Sequence, residues 1–282
     1  MLGPDDLVLC SGTLPRAATF GERLDAAAAG GFTAISLWGR DYWAASQDGW
    51  SDANLRAALA DRGLAVAEID PAWCWTPAQP DHESLLALDD LEIFRYREDE
   101  LFAIADATGA RSVNAVDVFG GRWGVDDAVE AFAGLCDRAA EHGLLVQLEF
   151  LPWSNVPDVN TAWDIARGAG RANGGIAIDA WHWFRGSNDL DALRAVPGDR
   201  VLGIQLCDAP RTPEADLMTA ALHARLVPGA GDLDLAPLLR ALREIGAVAP
   251  VGVEVLSDDL HARDAVEAGR LAGDATRRLL TA

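Results

Sequence analysis

Three carboxylates and one carboxamide stand in places a hydrophobic run would not choose for them: Glu149 in LLVQLEF, Asp179 in GIAIDAWHW, Gln205 in VLGIQLCD and Glu254 in VGVEVL. Like charges converging in a low-dielectric interior repel, and each one left unpaired there costs several kcal/mol. A divalent cation removes that cost. Carboxylate and amide oxygens suit Mg²⁺ or Mn²⁺, and His182, three residues beyond Asp179, adds an imidazole that also admits Co²⁺ or Zn²⁺. We therefore expect one divalent ion per chain, Mn²⁺ or Mg²⁺ first, with Glu149, Asp179, Gln205 and Glu254 as ligands. The competing reading is that an arginine or a backbone amide neutralises each carboxylate separately.

The elements that must position these residues follow from hydropathy. Eight short apolar runs, at Leu7–Cys10, Ala34–Leu37, Ala65–Ile69, Ser112–Val116, Leu145–Glu149, Ile176–Asp179, Val201–Leu206 and Val251–Val255, alternate with longer segments of helical periodicity. Several runs are apolar throughout, as in parallel strands covered on both faces. Gly30-Gly31, Gly63, Gly109, Gly143 and Gly174-Gly175 punctuate the helix-to-strand junctions. Eight βα units predict a single (β/α)₈ barrel over residues 1–282, with its site at the C-terminal strand ends. An open doubly wound sheet fits less well, because no G-x-G-x-x-G follows the first strand.

Composition narrows the function. The formal charge of −21, from 44 acidic and 23 basic residues, opposes binding to nucleic acid or to an anionic membrane surface. No run reaches the roughly 20 apolar residues of a membrane span. Cys10, Cys74, Cys136 and Cys207 lie far apart and read as reduced thiols, and Met1–Asp6 has no basic leader region, so we expect a cytoplasmic protein. Many of the ten tryptophans fall at or just beyond proposed strand ends. Trp38 and Trp153 among them are candidates for an aromatic mouth that stacks on a ring, although tryptophan also simply fills large barrels.

The segments LEFLPWS (148–154), IDAWHWFR (178–185), IQLCDAPR (204–211), RLVPGAGDLDL (225–235) and GVEVL (252–256), with SLWGRDYW (36–43), together resemble the xylose isomerase-like TIM barrels, the sugar phosphate isomerase/epimerase group. In the ketose 3-epimerases of that group a Glu, an Asp, a His and a Glu from strands five to eight hold the metal. The resemblance carries these onto Glu149, Asp179, Gln205 and Glu254, with an amide where the epimerases have imidazole. It carries substrate-binding roles onto His182 and Arg211, and a loop of the Arg-x-x-Pro-Gly-Glu-Gly type onto His223–Asp232. There Arg225 is a candidate for a substrate anion and Ala230 replaces the glutamate.

The chemistry implied is proton abstraction beside a carbonyl, with Glu149 and Glu254 as the base and acid pair. Reprotonation gives an isomerase or epimerase acting on a sugar, keto-sugar or cyclitol. Loss of a β-hydroxyl or glycosyloxy group gives a dehydratase or lyase of the inosose or 3-dehydroshikimate dehydratase type. The resemblance also implies pairing into a homodimer through helical faces. A histidine-rich three-metal endonuclease site is disfavoured, since only His82, His142, His182, His223 and His261 are present. A barrel that binds sugar without turnover is the remaining alternative.

Overall fold

Eight parallel strands pair in sequence order and close on themselves, β1 (Leu7–Leu9), β2 (Ala34–Trp38), β3 (Ala65–Ala72), β4 (Ser112–Val116), β5 (Leu145–Glu149), β6 (Gly174–Asp179), β7 (Val201–Leu206) and β8 (Val251–Val253). This computed structural model describes residues 2–78, 93–119 and 121–281. His82 lies outside the described residues. All eight proposed strands are present. β3 runs three residues beyond its expected end, which brings Asp70 into the sheet, and β8 stops before Glu254, which follows it directly.

Helices cover the barrel from outside. The principal ones are α1 (Phe20–Ala29), α2 (Gly39–Gln47), α3 (Asp52–Asp61), α4 (Glu98–Thr108), α5 (Val125–Glu141), α6 (Val159–Ala169), α7 (Ala180–Arg185), α8 (Leu190–Arg194), α9 (Leu217–His223), α10 (Leu235–Glu244), α11 (Asp258–His261) and α12 (Ala265–Thr281). Their starts are chemically marked. Thr19 and Glu22 form a reciprocal capping box ahead of α1, and α5 opens on Asp126 and Asp127 and ends near Arg138, both favourable to the helix dipole. Gly109 and Gly170 end α4 and α6 in the left-handed conformation. Gly174 and Gly175, expected at such a junction, instead lie inside β6. The core between strands and helices is built from buried residues such as Leu24, Leu55, Ile104, Phe132 and Ile165 on the helices and Leu37, Ile69 and Val113 on the strands, where burial of apolar area supplies the main stabilisation.

The seam of the barrel joins opposite ends of the sequence. Leu7, Val8 and Leu9 pair with Val251, Gly252 and Val253. Beyond it Thr13 donates its hydroxyl to the Val253 carbonyl (2.8 Å) and accepts from the Val255 N–H (2.9 Å). Among the described residues no helix is long and apolar enough to cross a membrane.

Candidate metal centre

Side chains alternate across a strand, so residues two apart share the barrel interior. Glu68 and Asp70 on β3, Gln147 and Glu149 on β5, Asn114 on β4, Asp179 on β6 and Gln205 on β7 are all buried polar residues. Asp179 ends β6 and caps α7, accepting a 2.8 Å hydrogen bond from the His182 backbone N–H through Oδ1. That cap fixes His182 one turn into the helix, and its Nε2 lies 3.4 Å from Glu149 Oε1. Glu149, Asp179 and His182 thereby present one ligand atom each, all within 4.8 Å of one another.

Glu254 enters from the β8 side. The buried guanidinium of Arg225 bridges it to Asp179, with Nη1 2.7 Å from Asp179 Oδ2 and 3.2 Å from Glu254 Oε2. Arg225 is itself held by its backbone N–H to Leu256 O (3.0 Å) and its Nε to Ala221 O (2.8 Å). On the opposite side Asn114 Nδ2 donates to both Asp70 Oδ1 (3.0 Å) and Glu149 Oε2 (2.5 Å), and the Trp38 indole donates to Asp70 Oδ2 (3.0 Å).

Charge is unevenly met here. Burial first, and neighbouring carboxylates next, push Glu149 well above the carboxylate range; burial does the same to Glu254, where Arg225 opposes it only in part. Burial raises Asp70 to about 6 and Glu68 to about 7. Asp179 is the exception: burial pushes it up, but Arg225 and His182 together hold it below its ordinary value. Burial lowers His182 to about 3, so its imidazole stays neutral and its nitrogen lone pair remains available to a cation. One arginine thus answers several carboxylates, so separate neutralisation does not account for the cluster.

Among the described residues, four buried acceptor-capable atoms, Gln205 Oε1, His182 Nδ1, Asn114 Oδ1 and Gln147 Oε1, have no hydrogen-bond partner. Clustered buried carboxylates, a neutral imidazole and an orphaned amide oxygen form a donor set that fits a divalent ion. Gln205 stands beside Asp179 and Gly252 in the register, and its Nε2 donates to Glu68 Oε1 at 3.5 Å.

Above this floor opens a cavity of about 80 Å³. Asp70, Glu149, His182, Arg225 and Glu254 form its polar end, and Trp38, Phe94, Leu151, Trp153, Met218, Leu222 and Leu256 wall the rest. Trp153 packs edge-on against Trp181 and His182, with ring centroids 6.2 and 5.4 Å away, so it is a fixed wall.

Of the expected site residues, Glu149, His182, Arg225, Glu254, Trp38 and Trp153 line this cavity, while Asp179 and Gln205 are buried and do not line it. His182, expected beside the substrate, is also within ligand reach of the carboxylates. Arg211 does not join them. It is exposed on the loop after β7, where its backbone N–H meets Asp232 Oδ2 at 3.4 Å. The loop is pinned by Asp208, whose carboxylate accepts from the N–H groups of Ala209, Gly229 and Leu233 at 2.8–3.0 Å. The buried cation is Arg225 instead. Sequence reasoning missed Asp70 and Asn114, although each is a polar residue in an apolar strand, the same signal that identified Glu149. The apolar walls Phe94, Met218 and Leu222 carry no such signal.

A sequence profile described as xylose isomerase-like TIM barrel matches residues 24–276. The 3-dehydroshikimate dehydratase of Pseudomonas aeruginosa is 30% identical over 266 residues, covering 90% of this chain and 38% of that protein. The inosose isomerase of Bacillus velezensis is 28% identical over 156 residues, 55% of each. The chain thus spans about two-fifths of the length of the first relative, and the match covers about half of the second. A crystal structure of the IolI protein with a bound zinc atom superposes with a TM-score of 0.83 at 20% identity, covering 98% of both chains.

Proposed function

The chain belongs to the xylose isomerase-like TIM barrel family, and from that premise we propose that it is a divalent-metal-dependent enzyme that removes a proton beside the carbonyl of a sugar, keto-sugar or cyclitol-like substrate. The observation that carries this reading is the buried cluster of Glu149, Asp179 and His182, of which Glu149 and His182 line the polar end of the cavity together with Glu254. We take the ion to be Mn²⁺ or Mg²⁺, with Glu149, Asp179, Gln205 and Glu254 as its ligands and His182 beside them. When bound, such an ion polarises carbonyl and hydroxyl oxygens and offsets the negative charge that develops as the proton leaves. Glu149, at the end of β5, and Glu254, directly after β8, serve as base and acid. Arg225 and His182 orient substrate oxygens, while Trp38, Trp153 and Leu256 exclude water. In this reading the domain is one barrel over residues 1–282, the protein is cytoplasmic, and any homodimer forms through the helical faces.

Return of the proton to carbon makes the enzyme an isomerase or epimerase. A second reading is favoured by a specific observation: the dehydratase relative matches 90% of the chain and the isomerase relative 55%. In that reading the same base takes the proton, the electron pair forms a carbon–carbon double bond, and the β-carbon–oxygen bond breaks. Its hydroxyl then leaves as water with a proton from the acid. The test is incubation of Mn²⁺-loaded protein in D₂O with inososes, ketoses and 3-dehydroshikimate. Deuterium in recovered or isomerised substrate is the outcome for the first reading, and growth of a conjugated ultraviolet chromophore is the outcome for the second. Neither signal with any of these substrates would refute the enzymatic reading for this substrate class.

A further inference from the structure

Beneath the ligand cluster the barrel holds another buried carboxylate, Glu68, which the proposed chemistry does not use. It borders a small cavity with Arg111, Gln147 and Gly203 on the far side of the site. Its two oxygens face two amides: Oε2 accepts from Gln147 Nε2, and Oε1 accepts from Gln205 Nε2 at 3.5 Å. An ionised carboxylate can only accept hydrogen bonds, so an amide facing it must turn its NH₂ toward it and its oxygen away. Both amides obey this rule, and in both the oxygen is left without a partner. Gly203 completes the arrangement. A Cβ there would lie 2.6 Å from Gln147 Oε1, so a side chain at 203 would displace the amide that holds Glu68.

We propose that Glu68 is a positioning residue that locks the Gln205 side chain with its oxygen, rather than its nitrogen, toward the metal. A glutamine ligand needs such a device because its two amide ends are nearly equal in shape and only one is a metal donor. An imidazole at the same position would not need it. The inference rests on the reading of Gln205 as a ligand.

Mn²⁺ titration calorimetry on metal-free protein tests it, with wild type, Glu68→Gln, Glu68→Asp, Gln205→Ala and Glu68→Gln/Gln205→Ala. Residues that orient metal ligands typically contribute about 10- to 100-fold in affinity. The expected result is a loss of about tenfold or more in Glu68→Gln and in Glu68→Asp, which keeps the charge but withdraws the oxygens. Glu68→Gln should cost nothing further once residue 205 is alanine. The Co²⁺ absorption spectrum should also shift in Glu68→Gln, as the amide is freed to turn. Weakening by Gln205→Ala with wild-type binding in Glu68→Asp would overturn the positioning role and assign any Glu68→Gln effect to charge. Equal losses from Glu68→Gln with and without Gln205 would overturn it as well. Wild-type binding in Gln205→Ala would remove the ligand reading itself, a failure distinct from the other two. Should Glu68→Gln not fold, Glu68→Asp carries the same comparison.

Discussion

At the scale of single residues, the site is a problem in charge. Glu254→Gln keeps volume and removes one acidic ligand, so metal content after dialysis against trace Mn²⁺ should fall from about one ion per chain to well below it, as elemental analysis would show. Glu149→Gln should abolish substrate C–H exchange, a fall of at least about a hundredfold by the usual worth of a general base. Glu149, Asp179, Gln205 and Glu254 were legible in the sequence because each is an ionisable or amide residue where an apolar strand ends. Asp70 in AVAEID carries the same signal, an acid at the end of an apolar strand. The place of Arg211 was not legible. Its spacing from Gln205 fits a substrate contact, yet the loop's path is decided by Asp208, which ties it to backbone groups 21 and 25 residues away.

At the scale of elements, short pieces carry the cavity. α9 supplies Met218 and Leu222, and the chain leaving it supplies Arg225, so this helix and the loop after β7 must hold a fixed relation. Asp208 provides it. Asp208→Ala would leave three backbone N–H groups without their acceptor, at about 1–3 kcal/mol for each that stays buried. The expected outcome is a lower melting temperature together with a raised KM, measured by calorimetry and steady-state kinetics. Asp158 caps α6 through the Thr161 N–H and hydroxyl at 2.9 Å and makes no hydrogen bond to this loop among the described residues. Its change to alanine should cost about 1 kcal/mol and leave KM unmoved. The eight strands were legible from apolar runs alone, whereas α2, α7, α9 and α11 were not. Each is short and lies in a loop above the barrel, where packing around the cavity, not periodicity, decides the conformation.

At the scale of the whole molecule, the buried acids make stability depend on pH. Unfolded carboxyls titrate near 4, while Asp70 and Glu68 in the folded, metal-free protein titrate at about 6 and about 7. Between those limits the native state binds more protons than the unfolded chain, so stability falls as pH rises. The metal-free protein should therefore melt at a lower temperature at pH 8 than at pH 5. A fixed Mn²⁺ concentration should reverse the difference, since deprotonated ligands bind the ion more tightly at pH 8 and an ion bound only by the native state adds about 2.7 kcal/mol at a hundred times its Kd. Calorimetry across this range, with and without Mn²⁺, checks both signs.

The seam between β1 and β8 has a consequence in time. Val253 and its neighbour Glu254 meet Leu9 and Thr13 only after more than two hundred intervening residues have been synthesised. During synthesis the ring stays open, and the last acid of the site has no floor to join. Closing the ring and completing the acidic cluster are therefore a single event. Glu149, Asp179 and His182 are in the chain well before that event, and Glu254 joins them only when the final strand docks.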